Sequence, residues 1–367
     1  MMVALQPPIK PMLAKATKSQ RMPAADKATG GWLFEPKWDG FRVLLFRDGD
    51  ALTIQSRNGE DLTYCFPEIS AALDQLPSAC VLDGELVIAH DGRLWFEELS
   101  QRIRPHSEAG GWKIAELAAN YPASYVAFDL LAIGQQDLTS QTMQERRAAL
   151  AAMALNPPFF TTPATTDPEL AQTWFSEFEG AGLDGVIAKD LGSTYQPGKR
   201  AMLKVKHIRT VDVVIAGWRA HKQPGPNNEP VVGSLLLGLY GPQGLHHVGV
   251  AASFSAARRV ELTELMQRYA VEESGPHPWL SWAQPDPERR QPGGESRWSA
   301  GKNLSFHLVR PELVAEVKYD HMEGSRFRHV TSLVRFRPDR TPQSCTFDQL
   351  ETPVPYDLAR VAPGLSD

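Results

Sequence analysis

The sequence predicts an α+β protein with two domains: a larger domain with mainly antiparallel sheets, followed by a smaller closed β-barrel. Three observations support this prediction. The 367 residues exceed what one ordinary hydrophobic core holds. Asp-Gly and Asn-Gly pairs, which suit tight hairpins, separate β-type runs through the first two hundred residues. After residue 210, five spaced strand-like runs accompany one helical segment.

The first domain is predicted at residues 1–209, where runs such as FRVLLF, ALTIQS and CVLDGELVIA read as strands. We expect antiparallel hairpins at the turn pairs that begin at Asp39, Asp48, Asn58, Asp83, Asp91 and Asp184. Helices are predicted from Pro67, from Thr142 and from Asp167, where Asp167 can cap the helix and Pro168 suits its first turn.

The barrel is predicted at residues 210–340. Its strand-like runs are VDVVIAGW, VVGSLLLGLYG, GLHHVGVAASF, ELVAEVKYD and HVTSLVRFR, and its one helix is SAARRVELTELMQRYA. A stretch rich in proline and glycine, residues 275–301, interrupts this region. Five strands with one helix fit a barrel of the OB type, a scaffold often used on nucleic acid. Residues 341–367 are predicted to form a tail packed on the barrel.

Composition indicates a globular protein of the cytoplasm, because 42% of residues are apolar, 22% are charged, and no run is long enough to span a membrane. The start of the chain lacks the apolar core of a secretory signal. Cys65, Cys80 and Cys345 lie far apart, which indicates neither disulfides nor a zinc site. The net charge of −5 argues against nonspecific coating of nucleic acid, but residues 199–210 carry five basic residues and no acid, which favours phosphate.

The stretch FEPKWDGFR places Lys37 between Pro36 and the Asp39-Gly40 turn, with Arg42 on the next strand. A nucleophilic lysine must be neutral, and an ordinary pKa of about 10.4 leaves roughly one amine in 2,500 neutral at pH 7. Lowering the pKa to about 8 requires around 3 kcal/mol. We expect Arg42, Lys204, Lys206 and a bound divalent metal to supply this free energy. The carboxylate of Asp39 would oppose part of their effect on the pKa of Lys37.

Seven ordered motifs carry a resemblance to a known family. The stretch EPKWDGFR resembles the K-x-D-G-x-R motif of ATP-dependent DNA ligases, and further matches follow over some three hundred residues. These are SRNG at Ser56, LDGELV at Leu82, AFDLL at Ala127, DGVIAK at Asp184, LKVK at Leu203 and RFRPDR at Arg335. The chain most resembles the short bacterial ligases of the LigC and LigD kind, and its length suits the stand-alone LigC type.

The resemblance implies a nucleotidyltransferase (adenylation) domain followed by an OB-fold domain. It also implies ATP as cosubstrate, Mg²⁺ or Mn²⁺, and nicked double-stranded DNA as substrate, sealed in DNA repair through a lysyl-AMP intermediate. We expect a monomer at the nucleoid, with repair proteins as partners and no membrane association.

Site residues carried over from the family begin at the lysine motif. Lys37 corresponds to the adenylated nucleophile, and Asp39 to the residue that holds its loop and assists later steps. Glu35 corresponds to a reader of the adenine edge. Arg42 and Arg57 correspond to contacts with ribose or phosphate. A buried ion pair is the alternative interpretation of this cluster.

The remaining motifs supply base, metal and phosphate contacts. Phe128 would stack on adenine, the alternative being a core aromatic, and Glu85 would contact ribose and metal. Asp184, where the family has glutamate, would be a metal ligand or else an ordinary turn residue. Two further assignments complete the set: Lys204 and Lys206 on the α-phosphate, and Arg337 with Arg340 on the outgoing pyrophosphate or else on a basic barrel edge.

Four other functions are the alternatives to this interpretation. An RNA ligase or an mRNA-capping guanylyltransferase would share the fold and the first step. A nonenzymatic OB-type nucleic-acid binder would have no use for a lysine nucleophile beside Glu85. An NAD⁺-dependent ligase would need a zinc-binding cysteine cluster that three scattered cysteines cannot form.

Overall fold

The computed structural model describes residues 3–103, 108–271, 277–280 and 305–365, so most of the Pro/Gly-rich stretch at 275–301 lies outside the described residues. The chain divides into two compact units. The first unit combines Met1–His207 with Pro353–Asp367, and the second unit is Ile208–Thr352. No helix in the described ranges is both long and apolar enough to cross a membrane.

The first unit contains twelve strands among its described residues. They are β1 (Leu13–Ala16), β2 (Trp32–Pro36), β3 (Phe41–Asp48), β4 (Ala51–Ser56), β5 (Ala79–Val87), β6 (Ala89–His90), β7 (Arg93–Leu94), β8 (Ser124–Ile133), β9 (Gln136–Asp137), β10 (Phe159–Thr161), β11 (Val186–Asp190) and β12 (Arg200–Val205). Its α-helices are α1 (Pro67–Ala71), α2 (Phe96–Arg102), α3 (Glu108–Asn120), α4 (Met143–Ala152) and α5 (Pro168–Glu177). Asp167 caps α5 and Pro168 occupies its first turn, as predicted.

The first unit contains two main β-sheets. One has the strand order β1-β12-β11-β2, and the other has the order β10-β8-β5-β3-β4 with β9 beside β8. Only the β1/β12 and β10/β8 pairs are parallel within these sheets, which confirms the prediction of mainly antiparallel pairing.

Strand β3 is buried on both of its faces. Val43 and Leu45 enter the cluster that the helices cover, whereas Leu44 and Phe46 enter a second cluster with Met202 of β12. Because side chains alternate along a strand, this single strand serves both cores. The second cluster contains residues of both sheets, so the two sheets pack against each other through it.

The Asp-Gly pairs differ in what they do. Asp48-Gly49 joins β3 to β4, and Asp91-Gly92 joins β6 to β7 with positive φ at both residues, as predicted for hairpins. The hairpin prediction was wrong for three other pairs. Asp83-Gly84 lies inside β5, Asp39-Gly40 links strands of different sheets, and Asp184-Gly185 precedes β11.

The second unit is a five-stranded barrel. Its main strands are β13 (Arg209–Ala220), β14 (Val232–Gly241), β15 (Gly244–Ala251), β16 (His307–Tyr319) and β19 (Ser332–Phe336), with a small β17 (Met322–Glu323) and β18 (Arg326–Phe327) hairpin and the helix α6 (Ala256–Arg268). The order is β15-β14-β13-β16-β19. A parallel bridge between Ala251 and Thr331 joins the two outer strands, and the Thr331 N–H donates to the Val250 carbonyl at 2.9 Å. This closure matches the predicted OB-type barrel.

The C-terminal segment departs from the prediction of a tail on the barrel. Residues 341–352 do contribute to the barrel core, through Cys345, Phe347 and Leu350. From Pro353 onward, however, the chain belongs to the first unit, where Leu358 is fully buried. The segment divides in this way because its last apolar side chains enter a cluster formed by the first unit. The first unit also ends at His207 rather than at the predicted residue 209.

Candidate active site

Three strand ends of the smaller sheet bring Lys37, Asp184 and Lys206 together. The Lys37 N–H donates to the Gly185 carbonyl and the Asp184 N–H donates to the Lys37 carbonyl, both at 2.8 Å, so the β2/β11 ladder continues to this point. Asp184 Oδ2 lies 2.6 Å from Lys37 Nζ and 3.1 Å from Lys206 Nζ. One carboxylate oxygen therefore pairs with two lysines: Lys37, which the sequence analysis predicts as the nucleophile, and Lys206, which it predicts as a contact with the α-phosphate.

The larger sheet supplies Arg42 and Glu85, which face each other across the β3/β5 pair. Arg42 Nε and Nη2 donate to the two oxygens of Asp83 at 3.0 and 2.6 Å. Tyr195 also donates its hydroxyl to Asp83, at 2.7 Å. The guanidinium is thereby fixed at 5.2 Å from the centre of the Phe128 ring. Asp83 and Tyr195 were not among the predicted site residues.

Two glycines permit the close approach of these elements. A Cβ on Gly40 would lie 2.1 Å from the Leu86 carbonyl oxygen and 2.9 Å from Glu85 Cγ. Gly185 has a φ of +119°, and a Cβ there would lie 2.1 Å from the Val205 carbonyl oxygen. The glycines of these Asp-Gly pairs do not close hairpins. They allow the backbone beside Lys37 and Asp184 to pass close to neighbouring strands.

A second group of side chains surrounds Phe128. Glu35 is only 2% exposed, and its Oε2 lies 2.8 Å from Lys189 Nζ. Lys189 also donates to the Phe128 carbonyl at 2.8 Å and lies 4.6 Å from the centre of the ring. Phe128 itself is half-buried and belongs to none of the hydrophobic clusters of the described residues, so the core-aromatic alternative is not supported.

Glu35 and Arg147 leave an acceptor and a donor unused in this group. Glu35 Oε1 and Arg147 Nη1 lie 3.8 Å apart, and both atoms are buried without a hydrogen-bond partner among the described residues. Burial raises the pKa of Glu35, although Lys189 and Arg147 oppose this. Lys189 and Arg147 were not predicted as site residues. A polar ligand edge that brings one donor and one acceptor would satisfy both atoms.

The charge state of Lys37 corrects a sequence prediction. Burial alone would lower the pKa of Lys37, but Asp184, Glu85 and Asp39 together raise it above its ordinary value. The expectation that basic neighbours lower this pKa was therefore wrong, because the charged groups that shift it are carboxylates. Lys37 is therefore an ammonium at neutral pH.

Glu85 is a carboxylate whose charged form is disfavoured by burial. Burial raises its pKa to about 8, opposed by Lys37 and Arg42 and reinforced by Asp39 and Asp83. A poorly solvated carboxylate of this kind gains from a bound cation. In the described part of the chain, no group of three or more histidine, cysteine, aspartate or glutamate residues is arranged to hold a metal. Glu85 and Asp184 nevertheless fit Mg²⁺, which protein sites often bind through one or two carboxylates, with phosphate and water completing the shell.

The other predicted residues lie outside this cluster or beside it. Arg57 is exposed in the turn after β4, and Lys204 is half-buried on β12. Arg337 and Arg340 belong to the second unit, where their guanidinium nitrogens lie 3.1 and 3.6 Å from Asp212 Oδ2. Arg337 also pairs with Asp339 at 2.7 Å, and its hydrogen bonds lower the pKa of Asp339 to about 2.

Replacing Asp184 with asparagine is expected to lower the pKa of Lys37, because it removes the largest of the charges that raise it. Residue-resolved labelling with an amine-selective reagent should then modify Lys37 about tenfold faster at pH 8 in the variant. Asp339→Asn, which breaks an ion pair in the second unit, is the matched control and should leave Lys37 labelling unchanged. Equal labelling rates in wild type and Asp184→Asn would contradict the assignment of Asp184 as the main group that raises the pKa of Lys37.

Comparisons with known proteins agree with this geometry. Residues 11–206 match the ATP dependent DNA ligase domain, and residues 228–340 match the ATP dependent DNA ligase C terminal region. The chain is 50% identical to DNA ligase C2 of Mycolicibacterium smegmatis over 353 residues, which cover 95% of each chain. It is 48% identical to DNA ligase C of Mycobacterium tuberculosis over 376 residues, which cover 100% of each.

A solved structure of a Lig E DNA ligase supports the fold, with a TM-score of 0.53 at 17% identity over 89% of this chain and 98% of that one. The two family domains match this chain in sequence order, and the two relatives are about half identical to it over nearly the whole length. Together these findings assign the chain to one family. The chain belongs to the ATP-dependent DNA ligase family, whose members are covalent nucleotidyltransferases.

Proposed function

We propose that this enzyme seals nicks between a 5′-phosphate and a 3′-hydroxyl in double-stranded DNA through an adenylate carried on Lys37. The observation that supports this most is the position of Lys37 at the junction of three strand ends, within 2.6 Å of Asp184 and beside Lys206 and Glu85. The rival ion-pair interpretation explains the Lys37–Asp184 contact. It does not explain why a second, poorly solvated carboxylate lies beside the same amine.

The reaction has three displacements at phosphorus. Lys37 Nζ, after losing a proton, attacks the α-phosphorus of ATP, so that a P–N bond forms and the bond to pyrophosphate breaks. The 5′-phosphate oxygen of the nick then displaces Lys37 from AMP. Finally the 3′-hydroxyl attacks the DNA phosphorus and AMP leaves. Each step concentrates negative charge on phosphoryl oxygens, which the basic side chains around Lys37 stabilise.

Asp184 links proton release to nucleotide binding in this proposal. Its carboxylate accepts a hydrogen bond from Lys37 Nζ and raises the pKa of that amine. Mg²⁺ or Mn²⁺, when bound by Glu85 and Asp184, would supply charge to the phosphoryl oxygens. A cation held by Asp184 would weaken the preference of this carboxylate for the ammonium form of Lys37. Lys204 and Lys206 are the proposed contacts with the α-phosphate. Asp39 is the residue proposed to hold the loop that follows Lys37 and to assist the later steps.

The nucleoside would occupy the group around Phe128. The exposed part of this ring offers a stacking surface for adenine, worth about 1–3 kcal/mol by analogy with other base stacking. Glu35 Oε1 and Arg147 Nη1 supply the acceptor and the donor for the base edge. Arg42 and Arg57 are the proposed contacts with ribose or phosphate. For Arg337 and Arg340 to reach the pyrophosphate, they must exchange Asp212 for phosphate oxygens.

Labelled nucleotides test this proposal. We expect label from α-labelled ATP, and not from GTP, to become bound to the protein with Mg²⁺, and the adenylated protein to seal nicked DNA. Sealing of nicked RNA alone would indicate an RNA ligase, and label from GTP alone would indicate a capping-type guanylyltransferase. Either outcome would overturn the proposal.

We further propose that the enzyme acts as a monomer in the cytoplasm, at the nucleoid, with repair proteins as partners. The support is that one chain supplies Lys37, Glu85, Asp184 and the group around Phe128. Sedimentation of the active enzyme on nicked DNA tests this, since a second copy in the sealing complex would contradict it.

A further inference from the structure

The last described residues of the chain, Pro353–Leu365, form a segment that we call the strap. Four of its apolar side chains are buried, namely Leu358, Val361, Ala362 and Leu365. They share one hydrophobic cluster with residues of the first unit, namely Trp38, Val87, Leu94, Val126, Phe178, Ala181 and Leu183. The strap therefore completes a core of the first unit, although the whole second unit separates it from that unit in sequence.

The partners of the strap are sequence neighbours of the site residues. Trp38 directly follows Lys37, and Leu183 directly precedes Asp184. Two further partners, Val87 and Val126, lie two residues from Glu85 and from Phe128 on their strands. Val87 shares a face of β5 with Glu85, because side chains two apart point the same way. Val126 is paired with Glu85 across the β5/β8 ladder, so the cluster continues the face that carries Glu85.

The first unit binds the backbone of the strap through specific close contacts. The Leu358 N–H donates to the Gly92 carbonyl at 2.7 Å. A Cβ on Gly180 would lie 1.9 Å from the Val354 carbonyl oxygen and 2.6 Å from the Tyr356 nitrogen. Only a glycine at this position lets the strap backbone pass so closely. The ring of Tyr356 packs at 5.3 Å from that of Phe178.

We propose that the strap is a positioning segment for Lys37, an inference that rests on the proposed function. Trp38 is held by its indole N–H, which donates to Thr162 Oγ1 at 2.8 Å, and its ring is buried in the same hydrophobic cluster as the strap side chains. Without the strap, one side of this anchor is lost and the Lys37 amine samples a wider range of positions. Small misplacements of a reacting group are costly to the rate even where binding is intact.

The variant Leu358→Ala, tested in the full chain, separates positioning from mere stability. We expect lysyl-AMP formation at saturating ATP to slow about tenfold, while the Kd for ATP changes less than twofold. The measurements are single-turnover adenylation, ATP binding and thermal unfolding, with the assay run well below the unfolding temperature. Val354→Ala is the matched control, because Val354 lies on the same strap but is 81% exposed, and it should behave as wild type. Leu358→Met, which keeps the volume, should restore the rate.

A wild-type adenylation rate in Leu358→Ala, with a lowered Tm, would overturn the inference and leave the strap a stabilising element only. If Leu358→Ala does not fold, Gly180→Ala replaces it, because that change displaces the strap backbone without altering a strap residue. The same two outcomes then decide. Failure of wild type to form any Lys37 adduct would instead refute the proposed function.

Discussion

Replacing Lys37 with alanine is expected to abolish the covalent AMP adduct and nick sealing, each by at least about a thousandfold, because no other group supplies the bond to phosphorus. The fold should persist. Asp184 keeps Lys206 as a partner at 3.1 Å, so removal of Lys37 leaves no unpaired carboxylate at that position. We expect the free energy of unfolding to change by about 1 kcal/mol or less.

The matched control for this loss is Lys113→Ala. Lys113 lies on α3 and pairs with Glu116 at 2.9 Å, and the variant should adenylate as wild type does. Both variants should be compared by intact mass after incubation with ATP and Mg²⁺. Wild-type adduct yield in Lys37→Ala would mean that another lysine is the nucleophile.

Glu85→Gln is expected to reduce adenylation by at least about a hundredfold and yet to stabilise the ligand-free protein at alkaline pH. Burial raises the pKa of Glu85 to about 8 in the folded state, above its unfolded value of 4.5. The folded protein thus holds the Glu85 proton more tightly than the unfolded chain does. The contribution of Glu85 to the free energy of unfolding therefore falls as pH rises from about 5 through about 8. Glutamine removes the buried charge, so the variant should gain about 1–3 kcal/mol at pH 9 after solvent screening, and little at pH 5.

Denaturant unfolding at pH 5 and pH 9 measures this gain. Glu316→Gln is the control with the opposite sign, because a hydrogen bond from Arg335 lowers the pKa of Glu316 and its carboxylate stabilises the fold. That variant should show no gain at pH 9. A Glu85→Gln protein that is less stable than wild type at pH 9 would contradict the assigned cost of burying this carboxylate.

The sequence predicted the elements of the fold better than their connections. Alternating apolar residues and caps such as Asp167 located strands and helices, because these signals are local. The Asp39-Gly40 pair has the same local signature as Asp48-Gly49, yet only the second is a hairpin turn. The difference is whether the following strand pairs with the preceding one, and that depends on contacts distant in sequence.

The fold brings together Lys37, Asp184 and Lys206, which the sequence analysis named, but the sequence did not predict their electrostatics. The basic run at 199–210 suggested that cations surround Lys37, whereas the folded chain brings Asp184 to within 2.6 Å of its amine. Distances between motifs more than a hundred residues apart decide the sign of a pKa shift, and sequence alone does not give them. Arg147 and Tyr195 were missed for the same reason, because they belong to none of the quoted motifs.

Mapping the adenylate on the intact enzyme tests the central claim most directly. After incubation with ATP and Mg²⁺, mass spectrometry of the whole protein and of its peptides should find one added AMP on Lys37. The bond should break in acid and persist in alkali, as a phosphorus–nitrogen bond does. An adduct on Lys189, Lys204 or Lys206, or a protein that stays unmodified while it seals DNA, would contradict the account.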